Sequence, residues 1–303
     1  MEVVVLGCGP SSSVPSVRCL LTRDCAVCHG AQLDPESKNR RLNPSLLVRD
    51  VARQTNSFEE GVDPVTGELR KIPNDPLRVH CSPYTAAQVS DKFRYLLEKK
   101  KPSEPNSRPL LAEEEQLQKS PRLLPHNLNI PSLPLLDEAL ETAPAPVQPF
   151  RWIAQVRLEE FHPWKPFTVS GLELLPIPVI HGAGYTSFAF EFGHEFGTRF
   201  VYISDVSDFS DETRAYLNDK SKGEIDVLII DALYIDKFHS THMNLVDAIT
   251  ELETIRPKLT LLTGMSHDYD YPTHSVIVEK MGREKGLNIQ MPYDGLVLSF
   301  PPK

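Results

Sequence analysis

The sequence predicts an α/β protein built as a layered sandwich, and three observations carry that expectation. Short β-branched runs recur near both ends of the chain, as in "EVVVLG" at 2–7 and "IDVLII" at 225–230. After about residue 150 the strand-like runs come first as a meander and then in alternation with helical stretches, the order of a layered α/β architecture. The chain has 303 residues, enough to bury one large core or two ordinary ones without a covalent staple.

In order, the N-terminal run ends in "GCG" and suits a buried strand: no basic segment precedes it, and it is too short for the apolar region of a signal peptide. "PSLLVRD" at 44–50 is a second strand, with a cysteine-rich loop between the two. Residues 51–76 are polar and turn-rich and show no amphipathic period, so they are expected to be a connector, with "DPVTGE" marking a hairpin or loop. Between 83 and 101, Ala87, Val89, Phe93, Leu96 and Leu97 recur at roughly helical spacing, and the lysines that close the stretch suit a helix C-terminus. Residues 101–149 hold a dense share of the 27 prolines and read as a flexible insertion in a single domain spanning 1–303.

Beyond the insertion, "WIAQVRLE", "FTVSGLELLPIPVIH", "SFAFEFG" and "TRFVYISD" are strand runs. A strand "IDVLIIDAL", a helix around "NLVDAITELETIRP", a strand "LTLLTGMSH", a helix around "SVIVEKMGREKG" and a final strand "GLVLSF" follow, with no internal repeat.

A net charge of −9 and a pI near 5.6 weigh against binding by broad phosphate neutralisation, so nucleic acid is not an expected partner. Five cysteines, three of them crowded together, fit a disulfide framework poorly and point to a reducing compartment. No window approaches the ~20 apolar residues of a membrane span. The expectation is a soluble, cytoplasmic protein with no membrane partner.

The three crowded cysteines, Cys19, Cys25 and Cys28 in "CLLTRDCAVC", would need one more ligand to close a zinc site of the Cys₃His type. Among ten histidines, His239 and His242 in "FHSTHMNLVDAI" stand just ahead of a helix after a buried strand, and His242, at the helix entry, is the expected partner. Two other readings stay open: reduced, packed thiols beside a solvent-facing histidine pair, or a redox couple of Cys25 and Cys28. The redox couple is disfavoured because C-x-x-C in thioredoxin-like proteins opens a helix, whereas this pair falls in a loop. Cys8 and Cys81 stand alone and are expected to be core thiols. A second set, His181, Asp205 and His267, shares a position at strand ends, where ligands gather in layered α/β proteins, and forms a candidate metal or acid-base cluster.

The segments "LGCGPSSSVPSVRCL", "DCAVCHGA" and "KNRRLNPSLLVR", then "PVIHGAGYTSFAFEFG", "FVYISDVS", "THMNLVDAI", "LLTGMSHDYD" and "MPYDGLVLSF", resemble in order the metallo-β-lactamase-fold branch that includes the cyclic phosphate phosphodiesterases of phosphonate metabolism. The resemblance covers residues 1–50 and about 150–300. It implies a four-layer αββα sandwich with two catalytic metals, zinc or manganese, that activate water for attack on a small phosphodiester. It also implies a structural zinc on Cys19, Cys25, Cys28 and His242. His181 matches the histidine of the first catalytic metal, Asp205 the aspartate that bridges both, and His267 the last histidine, on the second.

The chain departs from that pattern at one place: the family's H-x-H-x-D-H loop should follow "SLLVR", and no H-x-H occurs anywhere in the sequence. The sandwich is therefore expected to be incomplete in its N-terminal half. Without the loop each catalytic metal keeps one exclusive ligand and the shared Asp205, fewer than the three protein ligands usual even for catalytic zinc. His80, Asp50, Asp63 and a residue of the 101–149 insertion are the substitutes within reach of the sequence, none supported by spacing. Loss of a whole block between well-kept motifs points to splicing or an omitted exon between about residues 50 and 77. The sequence thus predicts a relative of metal-dependent phosphodiester hydrolases whose ligand count argues against activity. The alternative is a zinc-stapled scaffold whose proline-rich insertion recruits partners.

Overall fold

The computed structural model describes residues 1–49, 58–62, 69–73, 77–97 and 156–300. Asp50, Asp63 and the proline-rich stretch 101–149 lie outside them. The chain divides into two units, one comprising Met1–Asn56, His80–Ala86 and Glu159–Lys303, the other Ser57–Val79 and Ala87–Leu158.

In the second unit β3 (Phe58–Val62) pairs antiparallel with β4 (Leu69–Pro73), Val62 standing opposite Leu69. The two strands flank "DPVTGE", as expected of a hairpin there, although the rest of the stretch was expected to be a connector without strands. A further pair, β5 (Leu77–Cys81) with β6 (Val156–Glu160), forms a two-stranded sheet. The helix expected over 83–101 is α3, Pro83–Lys92, followed by a 3₁₀ turn at Arg94–Leu96.

The first unit holds two sheets. A three-stranded sheet has the order β14 (Val297–Ser299), β1 (Glu2–Gly7), β2 (Ser45–Arg49). A seven-stranded sheet runs β13 (Ile289–Gln290), β12 (Leu259–Thr263), β11 (Val227–Asp231), β10 (Phe200–Ile203), β9 (Thr186–Phe192), β8 (Leu172–Ile180), β7 (Phe167–Val169). From β7 to β10 the pairing is antiparallel, and from β10 to β13 it is parallel, so the meander-then-alternation order of the sequence appears as two halves of one sheet. The β7–β8 hairpin turns through Ser170 and Gly171, both at positive φ (49° and 85°), the twist-matched two-residue turn that favours glycine.

β11 reads "VLIID", is buried throughout, and shows why an unbroken apolar run belongs at the centre of such a sheet. Side chains alternate between faces. Val227 and Ile229 join Met1, Val3, Phe192, Phe200 and Leu261 in the core between the sheets. Leu228 and Ile230 join a second core capped by three helices: α4 (Asp211–Asn218), α5 (Leu245–Ile255) and α6 (Tyr271–Glu284). α5 is typical of these. Leu245, Ala248, Ile249, Leu252 and Ile255 form its buried stripe, and the Asn244 side chain caps it by accepting from the Asp247 N–H.

Two short helices occupy the cysteine-rich stretch expected to be a loop: α1 (Val17–Thr22) and α2 (Ala26–Leu33). Both are fixed by local caps. The Ser16 hydroxyl accepts from the Cys19 N–H, and Cys25 is itself the N-cap of α2, its thiol accepting from the Cys28 N–H. The C-x-x-C pair therefore does open a helix, which corrects the reading from sequence. His181, Asp205 and His242 all follow the ends of β8, β10 and β11, on the rim where parallel strands deliver their C-termini.

Candidate metal centres

Cys19, Cys25 and Cys28 converge on one nitrogen, His267 Nδ1, at 3.0, 3.4 and 3.6 Å from their sulfurs. A tetrahedral zinc with ordinary Zn–S and Zn–N bonds sets the S···N separation at about 3.5 Å, so these four donors fit the ion. All five cysteines of the chain are free thiols. Burial, with the neighbouring Cys25 adding to it, pushes the Cys28 thiol up to about 12, while the Ser16 N–H pulls the other way. Burial thus disfavours the charged form of the Cys28 thiol. A cation held by these four donors would supply the compensating charge.

The loop that carries His267 is pinned by the N-terminal segment. Arg41, fully buried, donates through Nη2 to the carbonyls of Ser266 and Tyr269 at 2.9 and 2.8 Å, on either side of His267. Asn39 adds two bonds, donating to Asp270 Oδ1 at 2.8 Å and accepting from the Tyr271 N–H at 2.6 Å. The Met265 N–H donates to the Cys8 carbonyl at 3.1 Å. Residues that follow β1 thus hold both the thiols and the support for their imidazole.

The second cluster comprises His181, Asp205 and His242, whose ligand atoms lie within 4.8 Å of one another. His181 Nδ1 stands 2.6 Å from the Thr241 carbonyl. A carbonyl only accepts, so that nitrogen carries a proton, and in the neutral ring Nε2 keeps its lone pair. His242 Nδ1 lies 2.6 Å from Asp231 Oδ2, the carboxylate–histidine arrangement that orients a metal-binding ring. Asp231 is wholly buried at the end of β11, and burial raises its carboxyl to about 7 although the His242 hydrogen bond works against the rise. Burial disfavours the charged form of His242, but the bond to Asp231 outweighs it and raises the ring above the ordinary histidine range. The two groups are joined by that 2.6 Å contact.

Asp231 Oδ1 has no hydrogen-bond partner. It lies against Gly264, where φ is +71° and where a Cβ would collide with that oxygen. Only glycine lets the β12 exit loop pass so close to the carboxylate. His239 flanks the cluster, with its ring centroid 5.2 Å from that of His242. Burial, then His242 and His181, lower its affinity for a proton.

The two histidines expected at these centres exchange places. His267 stands with the three thiols and His242 with His181 and Asp205, the reverse of the expectation from sequence. The reason is mechanical: the β12 exit loop is bonded to Arg41, Asn39 and Cys8 beside the cysteines, whereas the loop after β11 is bonded through Asp231 and Thr241 across the ends of β8 and β10. His80 joins neither cluster. Its ring stacks on Phe167 at 5.2 Å and it pairs with Glu159 at 3.5 Å. Cys8 and Cys81 are buried as expected. Asp231, Thr241 and Arg41 were not foreseen, although Asp231 carried the same signal as Asp205, an acid closing an apolar strand.

The profile of the Beta-lactamase superfamily domain matches residues 133–265. Among solved structures the chain is similar to a diphosphatase from the PhnP family, with a TM-score of 0.59 and 21% identity over 99% of this chain and 98% of that one. It is also similar to zinc-bound PqqB from Methylobacterium extorquens, with a TM-score of 0.60 and 13% identity over 99% of this chain and all of that one. The fold is a metallo-β-lactamase sandwich. At these identities the likeness carries the fold alone. No curated protein sequence matches the chain. Among the described residues, no helix of this metallo-β-lactamase-fold chain is long and apolar enough to cross a membrane.

Proposed function

We propose that this chain is a metal-dependent hydrolase of small phosphate esters that works with one catalytic metal ion and is stapled by one structural zinc. The observation that carries the reading is the His181, Asp205 and His242 cluster. Two imidazoles have their Nδ1 atoms engaged by Thr241 and Asp231, leaving both Nε2 atoms for a metal, and one carboxylate completes a three-ligand set. Two histidines and a carboxylate with open coordination positions is a catalytic rather than a structural donor set. The ion would supply Lewis acidity and a lowered water pKa.

The chain's own residues do the rest. Asp231 keeps the His242 ring oriented, the Thr241 carbonyl does the same for His181, and Asp205 brings the negative charge that favours a divalent ion. This replaces the ligand count made from sequence, which left each of two metals short. The choice of phosphate esters rests on analogy with the PhnP-family diphosphatase of the same fold.

The experiment is elemental analysis joined to an assay on bis(p-nitrophenyl) phosphate. The reading expects two ions per chain, one lost in Asp205→Ala together with hydrolysis and the other lost in Cys25→Ser. A second reading, a non-catalytic scaffold held by the Cys₃His zinc, draws support from the missing H-x-H-x-D-H loop. It expects a single ion, insensitive to Asp205→Ala, and no hydrolysis.

A further inference from the structure

Thr241 touches two histidines in opposite senses. Its carbonyl accepts from His181 Nδ1 at 2.6 Å. Its backbone N–H donates to His239 Nδ1 at 3.4 Å, and its hydroxyl lies 3.1 Å from the same nitrogen. A carbonyl forces a proton onto the ring nitrogen it meets, and an N–H donor forbids one. In their neutral forms the two rings are thereby sorted into opposite tautomers: His181 with a bare Nε2, and His239 with a protonated one.

The placement of Thr241 is itself constrained. A Cβ at Gly182 would lie 2.8 Å from Thr241 Cγ2 and 3.2 Å from the Ser240 carbonyl, so the loop after β8 packs directly on this segment. His239 is half-buried beside the cluster, close to the His242 ring. A bare Nε2 binds a metal. A protonated Nε2 on a neutral ring cannot, but it donates a hydrogen bond to an anion held next to one.

We propose that His239 is a substrate-binding residue that donates an Nε2–H hydrogen bond to a phosphoryl oxygen at the His181, Asp205 and His242 centre, and that Thr241 positions it by sorting the two histidine tautomers. The anion-binding role rests on the reading that this centre holds a metal. The tautomer sorting does not, since it follows from Thr241 alone. The ligand class is a tetrahedral phosphate-like oxyanion, and recognition is by one neutral donor in place of a lysine or arginine.

Two measurements test it. Long-range ¹H–¹⁵N NMR of the metal-free chain at pH 7.5 reads tautomers directly: His239 is expected as the Nε2–H form and His181 as the Nδ1–H form. Finding His239 as Nδ1–H overturns the sorting, whether or not any metal binds. Calorimetry of inorganic phosphate on the zinc-loaded chain is expected to show roughly tenfold weaker binding in His239→Ala, the scale of one hydrogen bond to a charged acceptor, at unchanged zinc content. Thr241→Val, which keeps both backbone bonds and removes the hydroxyl, is expected to lose less. Unchanged phosphate affinity in His239→Ala with both ions retained overturns the binding role. Failure of the wild-type chain to take up an ion at the Asp205 centre refutes the proposed function and the anion-binding role with it, while the NMR result for the sorting still stands.

Discussion

The two metal clusters differ in how they are closed. The Cys₃His set has four donors, two of its cysteines buried, and a histidine whose loop is bonded back to the chain that supplies the thiols. The set of His181, Asp205 and His242 has three half-buried donors, with its support beneath it, in Asp231 and Thr241. The first arrangement leaves no coordination position free and the second leaves at least one. Under the proposed function that contrast separates an ion that would hold structure from an ion that would do chemistry.

Removing a thiol tests the contrast most severely. Cys28→Ser is expected to abolish one zinc and to lower thermal stability by several kcal/mol, out of the roughly 10–16 kcal/mol that structural zinc supplies to small zinc-dependent folds. Asp205→Ala, by comparison, should leave the melting temperature nearly unchanged. Equal destabilisation by both would erase the distinction drawn between the clusters.

Arg41 gives the next largest effect. Arg41→Met leaves the carbonyls of Ser266 and Tyr269 without their buried donor and should cost about 3 kcal/mol in chemical denaturation. It should also weaken zinc retention by the thiols while sparing the Asp205 centre, a pattern that metal analysis during chelator challenge can read.

Asp231→Asn acts in the opposite direction. Loss of the oriented carboxylate behind His242 is expected to lower metal affinity at the open cluster by about 10- to 100-fold, with no change at the cysteines. Competition with a fluorescent zinc chelator measures both sites.

The smallest effect is a pH dependence. The Thr273 hydroxyl, with lesser help from the Asn39 amide, outweighs the opposing effect of burial and holds the Asp270 carboxyl below the usual carboxylate range. A carboxylate with a depressed folded-state pKa contributes stability that is fully present above its unfolded value near 3.9 and is lost as pH falls through the folded one. Asp270→Asn should therefore reduce stability at pH 7 and flatten the acid limb below about pH 4 in denaturation profiles. An unaltered acid limb would show that the Asn39–Asp270 brace does not link proton binding to folding.

Much of the architecture was legible in the sequence. "IDVLIIDAL" gave β11 because an apolar run covered on both faces needs no alternation, and α5 followed from a buried stripe behind an asparagine cap. The strands β3 and β4 and the helices α1 and α2 were harder to see, because each is too short to show a period and leans on pairing or caps instead. The grouping of the three cysteines, and the placing of Asp205 and His181 at strand ends, were legible from residue type and position.

Which histidine belonged to which centre was not legible. His242 and His267 both follow buried strands, both precede helices, and both lie far from Cys28 in sequence, so spacing cannot rank them. The sequence by itself determined the candidate donor types, the layered sandwich and the absence of an H-x-H motif, since these depend on residue chemistry and hydrophobic period. Only the tertiary structure decided the pairing, because it depends on Arg41, Asn39, Asp231 and Thr241 bonding two exit loops to different neighbours. Those are contacts between residues up to 232 positions apart, which no local pattern encodes.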